Sequence, residues 1–470
     1  MNRYDVIVVG CNVSSLISAI LLLNDGYKVL LVDKKNTIGE ISSSIKIGRY
    51  TFYNNFNNLY LRDNNTFDFE VCKVLETCNI KVRLDYVLLD KFCNIKLNDV
   101  EYTLPFGIDE FINYFEQLLP DSNEKLKKLF NIALECRNGL EYIVANLDEI
   151  NFDYLKREFS DFCNLCYLSL EEGLNKLNID GDLKEILSKL CIYFGTDINN
   201  MSYVEYLVFL VNIVEKGVRV INCDLLTLLL NEYVKKNGYI KLKSNVVSLV
   251  VDDEIVNGIR LSTGEVIYAE KVIVSGDIKN VYGNMIEAKD VSRRLLKHIN
   301  KRETGNKVLS IYLGLNINLK DNINGNNYIF DDMIVNIDTS DDVSNISIRY
   351  IFKDNVFIES VNTRNYYLTI ERKTKKILNE LEANMNIKIL DNIEEIKIIS
   401  PFEQEVFDTK LNIDEGIVSR ILNSRNEKYI KGLYVCSGLN GDIYGYRSDI
   451  SSGIEIFNCC KNEGDLSERN

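Results

Sequence analysis

Apolar residues fall into two spacings along this chain, and each spacing predicts its own elements. Asp5–Val9 is a short, mostly apolar run ending at Gly10, the pattern of a buried parallel strand. Val13–Leu23 is apolar with small polar insertions and long enough for a helix, and Gly26 follows its last turn as a C′ residue. Tyr27–Val32 is a second apolar run, and it ends on Asp33. Helical spacing returns over Ile108–Leu119, Ser122–Asn146, most of Phe152–Phe194, Tyr203–Val214 and Leu225–Lys236, the last closed by Gly238. Alternating or short apolar runs predict strands at Gly48–Tyr53, within Asp85–Tyr102, and at Tyr239–Lys243, Val246–Val251, Asn257–Ser262, Glu265–Tyr268 and Lys271–Ser275. Val308–Leu315, Tyr328–Asn336 and Asn345–Phe352 predict a second sheet. A helix at Thr374–Met385, strands at Ile396–Ile399 and Gly432–Cys436, and a closing helix at Ile450–Cys459 complete the pattern. The whole reads as α/β with an antiparallel-sheet insertion.

Strand, tight turn, helix, strand and acid within about 30 residues form the βαβ dinucleotide fingerprint. Its G-x-G-x-x-G positions are Gly10, Asn12 and Ser15. Gly10 keeps the tight turn. Asn12 puts a side chain where a pyrophosphate would approach the backbone, and Ser15 adds a hydroxymethyl where helix and strand pack closely. The helix N-terminus still offers N–H groups to an anion, Ser14 and Ser15 offer hydroxyls, and Asp33 sits where an acid would hold a ribose. The plain alternative is a βαβ unit that binds nothing, with Asp33 a solvated acid at a strand end.

Length and composition narrow the rest. A chain of 470 residues predicts two packed domains. The formal net charge of −14, without a long basic run, argues against nucleic acid and against electrostatic docking to anionic lipid. The twelve cysteines are scattered, no signal-peptide pattern is present, and a reducing cytoplasmic setting is expected. Cys163 and Cys166 form a C-x-x-C without a partner pair, and His298 is the only histidine, so neither a structural zinc nor a disulfide is expected. One histidine in a basic segment also leaves no credible Ser/His/Asp triad, and no paired carboxylates stand out as an acid/base dyad. Catalytic side chains are therefore not assigned. The apolar stretch Tyr203–Val214 would suit a substrate tunnel or a membrane contact, although a buried core helix is the commoner use of such a stretch.

Five stretches in order, DVIVVGCNVSSLISAILLLNDGYKVLLVDKKNTIGE, DYVLLDKFCNIKLNDVEYTLPFGIDEFINYFEQLLP, VVSLVVDDEIVNGIRLSTGEVIYAEKVIVSGD, KVLSIYLGLN and GLYVCSGLNGDIYGYRSDISSGIEIF, together resemble the phytoene desaturase and carotenoid isomerase-like family of FAD-dependent oxidoreductases. That family shares a superfamily with amine oxidases and the Rab GDP-dissociation inhibitors, and the resemblance spans nearly the whole chain. It implies a Rossmann-like FAD-binding domain over 1–84, 217–300 and 425–465, interleaved with an α+β substrate domain over 85–216 and 301–424. It implies FAD along Gly10, Asn12, Ser14, Ser15, Asp33, Lys34, Gly39, Glu40, Val246, Gly276, Gly438 and Ile450, with Val246 serving adenine through its backbone. It implies a hydrophobic polyene or isoprenoid substrate, desaturated or isomerised, with peripheral membrane contact as a further expectation.

The departures fall on cofactor-contacting positions. Where the family has Gly-Gly-Arg, this chain has Gly39, Glu40 and Ile41, and a carboxylate beside a diphosphate would cost about 2–4 kcal/mol. Asn222, Cys223 and Asp224 stand where a Gly-Gly is usual. Ser437 replaces a glycine, and the flavin-backing glycines are reduced to Gly441 and Gly445, whereas Ser452–Gly453 matches. FAD is accordingly expected to bind weakly or to be lost. The second reading is a non-catalytic descendant that keeps the fold and binds a lipid or a protein.

Overall fold

The computed structural model describes residues 3–35, 45–52, 58–60, 75–76, 79–80, 85–89, 91–97, 100–146, 149–194, 196–215, 217–221, 225–276, 278–293, 295–297, 307–340, 342–352, 363–401, 430–436 and 452–461. The class is the expected α/β with one mainly parallel and one mainly antiparallel sheet. The first sheet has seven strands, running Tyr239–Lys241, Val29–Val32, Arg3–Val9, Val266–Ser275, Ile255–Leu261 and Val246–Asp252, with Leu433–Cys436 also paired to Val266–Ser275. Val29–Val32 lies parallel beside Arg3–Val9 in the register Val6↔Val29 to Val9↔Val32. Val6–Val8 and Val29–Val32 are buried on both faces, which is why these stretches are continuous apolar runs.

On one face the helix Val13–Asn24 packs with Leu229 and Tyr233 of the helix Leu225–Lys235 and with the helix over 452–461. On the other, Val281, Tyr282 and Met285 close over Ile7, Leu30 and Val272.

Glu265–Tyr268 and Lys271–Ser275, expected as two strands, form one strand, Val266–Ser275. No Gly or Pro interrupts it, and both halves find partners. Its first half pairs antiparallel with Ile255–Leu261, and its second half pairs parallel with Leu433–Cys436.

The second sheet is also seven-stranded, in the order Ile393–Ile399, Val308–Leu315, Ser344–Ile351, Met333–Thr339, Asn327–Phe330, Lys91–Leu97 and Val100–Pro105. The run Tyr328–Asn336 is a hairpin rather than one strand, because Asp331 takes a left-handed φ of 44° between its two arms. The pair Asn327–Phe330 and Lys91–Leu97 is parallel, so a segment from early in the chain extends a sheet built mostly from residues after 300. The helix covering one face is Thr363–Met385, eleven residues longer at its start than the apolar pattern predicts, and Ile370, Ile377, Leu378 and Leu381 are its core positions.

Behind the other face lies a helical layer centred on Tyr203–Glu215. That helix is buried nearly all round, which makes it a core element. At its end Arg137 Nη1 meets Glu215 Oε1 at 2.8 Å and donates to Asn212 Oδ1 at 3.4 Å, tying it to the helix Ser122–Ala145. A small third sheet pairs Gly217–Ile221, a strand with no expectation from the sequence, with Asn58–Tyr60 and Asp85–Leu89.

Candidate functional site

The turn after the first strand is built as the fingerprint requires. Gly10 has φ 78° and donates its N–H to Val32 O at 2.9 Å. A Cβ on Gly10 would lie 3.3 Å from both Cβ and O of Ser275, so the tips of three neighbouring strands close on a residue that has to be glycine.

Asn12 is the N-cap of the helix Val13–Asn24, with φ −135° and ψ 179°. Its side chain turns back onto the helix: Ser15 N–H donates to Asn12 Oδ1 at 2.8 Å, and Asn12 N–H donates to Ser15 Oγ at 2.9 Å. Ser15 Oγ in turn donates to Asn12 O at 3.1 Å. This is a reciprocal capping box. Asn12 and Ser15 therefore do more than crowd a ligand, because they hydrogen-bond the amides at the helix start themselves.

Ser14, Ser15 and Ser18 are all fully buried. Ser18 Oγ lies 2.9 Å from Ser14 O and 2.9 Å from Gly453 O, which fastens the first helix to the start of the helix over 452–461. At that start the buried hydroxyl of Ser452 has no hydrogen-bond partner among the described residues.

Asp33 is nearly buried at the tip of the second strand, and one carboxylate oxygen accepts the Lys35 N–H at 2.9 Å. Its backbone O accepts the Ser244 N–H at 2.9 Å. Ser244 lies just before the strand Val246–Asp252, so this bond brings Val246 toward Asp33 although 212 intervening positions separate them in sequence. Lys34 is exposed beside them. Gly276, at the end of the central strand, donates to Cys436 O at 3.3 Å, and no atom of the described residues lies within 4 Å of where its Cβ would be. Gly39, Glu40, Gly438 and Ile450 lie outside the described residues, as do Ser437, Gly441, Gly445 and the 222–224 segment.

The described residues thus meet a dinucleotide in part. The turn at Gly10, the acid at Asp33 and the open edge at Gly276 suit its adenosine side. The box of Asn12 and Ser15 does not suit a diphosphate laid on the helix N-terminus.

One polar cluster escaped the sequence reasoning. Tyr50, in the hairpin Ile45–Ile47 and Tyr50–Phe52, donates its hydroxyl to Glu394 Oε2 at 2.6 Å, and Arg49 Nη2 reaches the same oxygen at 2.5 Å. Tyr50 is almost wholly buried against Gly314, Phe52 and Tyr312. No local motif links positions 344 residues apart, so no sequence signal was there to read.

The hydrogen bond from Tyr50, then that from Arg49, holds the Glu394 carboxyl below its ordinary range, while burial first and Glu394 second push the Tyr50 hydroxyl up. A carboxylate lowered in the folded state adds stability above its unfolded pKa, and that stability is lost as pH falls through the folded value. Melting of the wild type and Glu394→Gln should therefore differ at neutral pH and converge in acid. A gap that persists unchanged to the acid limit would show that the charge on Glu394 contributes nothing.

Among the described residues Cys93, Cys136, Cys163, Cys166 and Cys191 are free thiols. Burial raises the pKa of the Cys163 and Cys166 thiols, the opposite of what a reactive C-x-x-C needs. Among the described residues no group of three His, Cys, Asp or Glu side chains is placed to hold a metal.

No protein-family model matches the chain. Its sequence is similar to a 4,4'-diapophytoene desaturase (4,4'-diapolycopene-forming) of Methylomonas sp., with 21% identity over 345 residues, 67% of this chain. The match spans 61% of that relative's length. The fold is similar to a putrescine oxidase variant at TM-score 0.69, covering 100% of this chain and 99% of that one at 10% identity. Cyclohexylamine oxidase from Brevibacterium oxydans follows the same fold at TM-score 0.66 and 10% identity, covering 98% and 99%. An oxidoreductase from Methanosarcina mazei does so at TM-score 0.62 and 12% identity, covering 97% and 100%. The chain thus shares its fold with putrescine oxidase and cyclohexylamine oxidase, and its sequence is similar to a diapophytoene desaturase.

Proposed function

We propose that the chain is a flavin-dependent oxidoreductase acting on a small hydrophobic molecule, a polyene or isoprenoid, by desaturation or double-bond isomerisation. The observation that carries this reading is the glycine turn at Gly10, kept at φ 78° among three strand tips with Asp33 beside it, in a fold matched end to end by amine oxidases. The hydrophobic substrate is argued from the likeness to the diapophytoene desaturase.

In this reading Gly10, Asp33, Lys34, Gly276 and the backbone at Val246 line the adenosine side of FAD. Ser14, together with Gly39, Glu40, Gly438 and Ile450, completes its outline. The cofactor domain comprises 1–84, 217–300 and 425–465, and the substrate enters from the remainder. FAD would supply the redox chemistry, and the chain's part is to hold it, orient the substrate and exclude water. No described helix is long and apolar enough to cross a membrane.

The capping box favours a second reading, in which the fold binds a lipid or a protein without catalysis. The visible spectrum of the purified full-length chain separates the two. Flavin absorption, on purification or after adding FAD, supports the oxidoreductase. A protein that stays colourless and binds no added FAD fits only the second reading.

A further inference from the structure

We infer that the Asn12–Ser15 box is a built-in substitute for a diphosphate: the chain satisfies its own helix N-terminus, and a dinucleotide has to displace the Asn12 carboxamide to bind there. The inference rests on the dinucleotide reading of this site and deepens it. In the usual fingerprint the second and third glycines leave the backbone bare, so the first-turn amides turn to the ligand. Here two of those amides are already used: Asn12 N–H goes to Ser15 Oγ at 2.9 Å and Ser15 N–H to Asn12 Oδ1 at 2.8 Å. The carboxamide oxygen, a neutral acceptor, occupies the hydrogen-bonding place of a phosphate oxygen. The Ser15 hydroxyl both accepts and donates within the box, so it too is spent.

A second, independent observation lies one residue from the contact between the two helices. Gly453 is packed so closely that its Cβ would sit 2.6 Å from Ser14 O, and next to it the Ser452 hydroxyl is fully buried with no partner among the described residues. Hydrogen-bonding capacity is left at the start of the second helix, while the first helix has spent its Asn12 and Ser15 amides within the box. The region is thus asymmetric. The first helix occupies with its own side chains part of the place where the fold normally takes the diphosphate.

The physical consequence is a trade of opposite signs. The box stabilises the ligand-free unit, because an Asn N-cap satisfies an amide that would otherwise be open. The same bonds weaken dinucleotide binding, because they have to break first. Substitutions at Asn12 separate the two effects. Asn12→Gly removes the carboxamide, bares the backbone and costs little as an N-cap. Asn12→Asp keeps the cap and suits the helix dipole, but sets a carboxylate against the phosphates.

The test measures ADP binding to the full-length chain by calorimetry, alongside ligand-free melting temperature and flavin content. Asn12→Gly should bind ADP at least about tenfold tighter than the wild type and melt at or slightly below it. Asn12→Asp should bind ADP more weakly than the wild type while melting at the same temperature or higher. A merely structural role for Asn12 would move stability and binding together in both variants.

The inference is overturned if Asn12→Gly binds ADP no tighter than the wild type, or if the wild type is purified with one flavin per chain. In the latter case the oxidoreductase reading stands without it. If Asn12→Gly gains ADP but no variant takes up FAD, the inference stands and the oxidoreductase reading falls.

Discussion

Glu215→Ala should lower the stability of this protein by about 3–5 kcal/mol, because it strands a buried guanidinium. Arg137 and Glu215 side chains are only 9% and 15% exposed and meet at 2.8 Å. Each also has a buried atom with no hydrogen-bond partner among the described residues, Nε on Arg137 and Oε2 on Glu215. The pair is therefore imperfectly satisfied, and its net worth is small compared with the cost of breaking it. Replacing both residues by apolar ones, Arg137→Met with Glu215→Leu, should recover most of the loss. Urea unfolding monitored by circular dichroism reads both. A single-variant loss below about 1 kcal/mol would mean that water reaches the pair and solvates the orphaned charge.

The second large effect is expected at Gly453. In an exposed helix interior, alanine is favoured over glycine by about 0.8–1 kcal/mol, and Gly453 lies in the first turn of its helix. Here the added Cβ would stand 2.6 Å from Ser14 O and 2.9 Å from Ile17 Cβ. The first obstacle is backbone, so the two helices have to separate, and overpacking of this kind costs about 1–3 kcal/mol. The contact outweighs the propensity, and Gly453→Ala should be destabilised. It should also lose the Ser18 bond to Gly453 O, which pins the helix starts together. Melting temperature and amide exchange over 13–18 would read the separation. An unchanged or raised melting temperature would show that the helices slide apart without cost.

Both effects bear on how much of this molecule was legible in its sequence. The buried strands were, because Val6–Val9 and Val29–Val32 are apolar on every position, the pattern of a parallel strand buried on both faces. The helix between them, the turn at Gly10 and the acid at Asp33 followed from the same 30 residues. Legibility failed where a residue's role depends on a distant partner. Glu394 is an ordinary polar position on its own strand, and its contact with Tyr50 exists only because a hairpin near the start of the chain lands on the second sheet. Gly217–Ile221 is short and follows a long apolar helix, and its pairing with two early strands is a tertiary event.

The phosphate loop divides along the same line. That Asn12 and Ser15 replace two glycines is written in the sequence and determines that the backbone there is no longer bare. Whether those side chains would point outward and block a ligand, or turn back and take its hydrogen bonds, is decided by the extended φ and ψ of Asn12 at the helix start. Backbone direction at a cap is set by how strand, turn and helix meet, and that meeting is fixed by packing against Ser275 and Gly453. Local sequence determined the chemistry available at this site, and the tertiary structure determined which atoms that chemistry would serve.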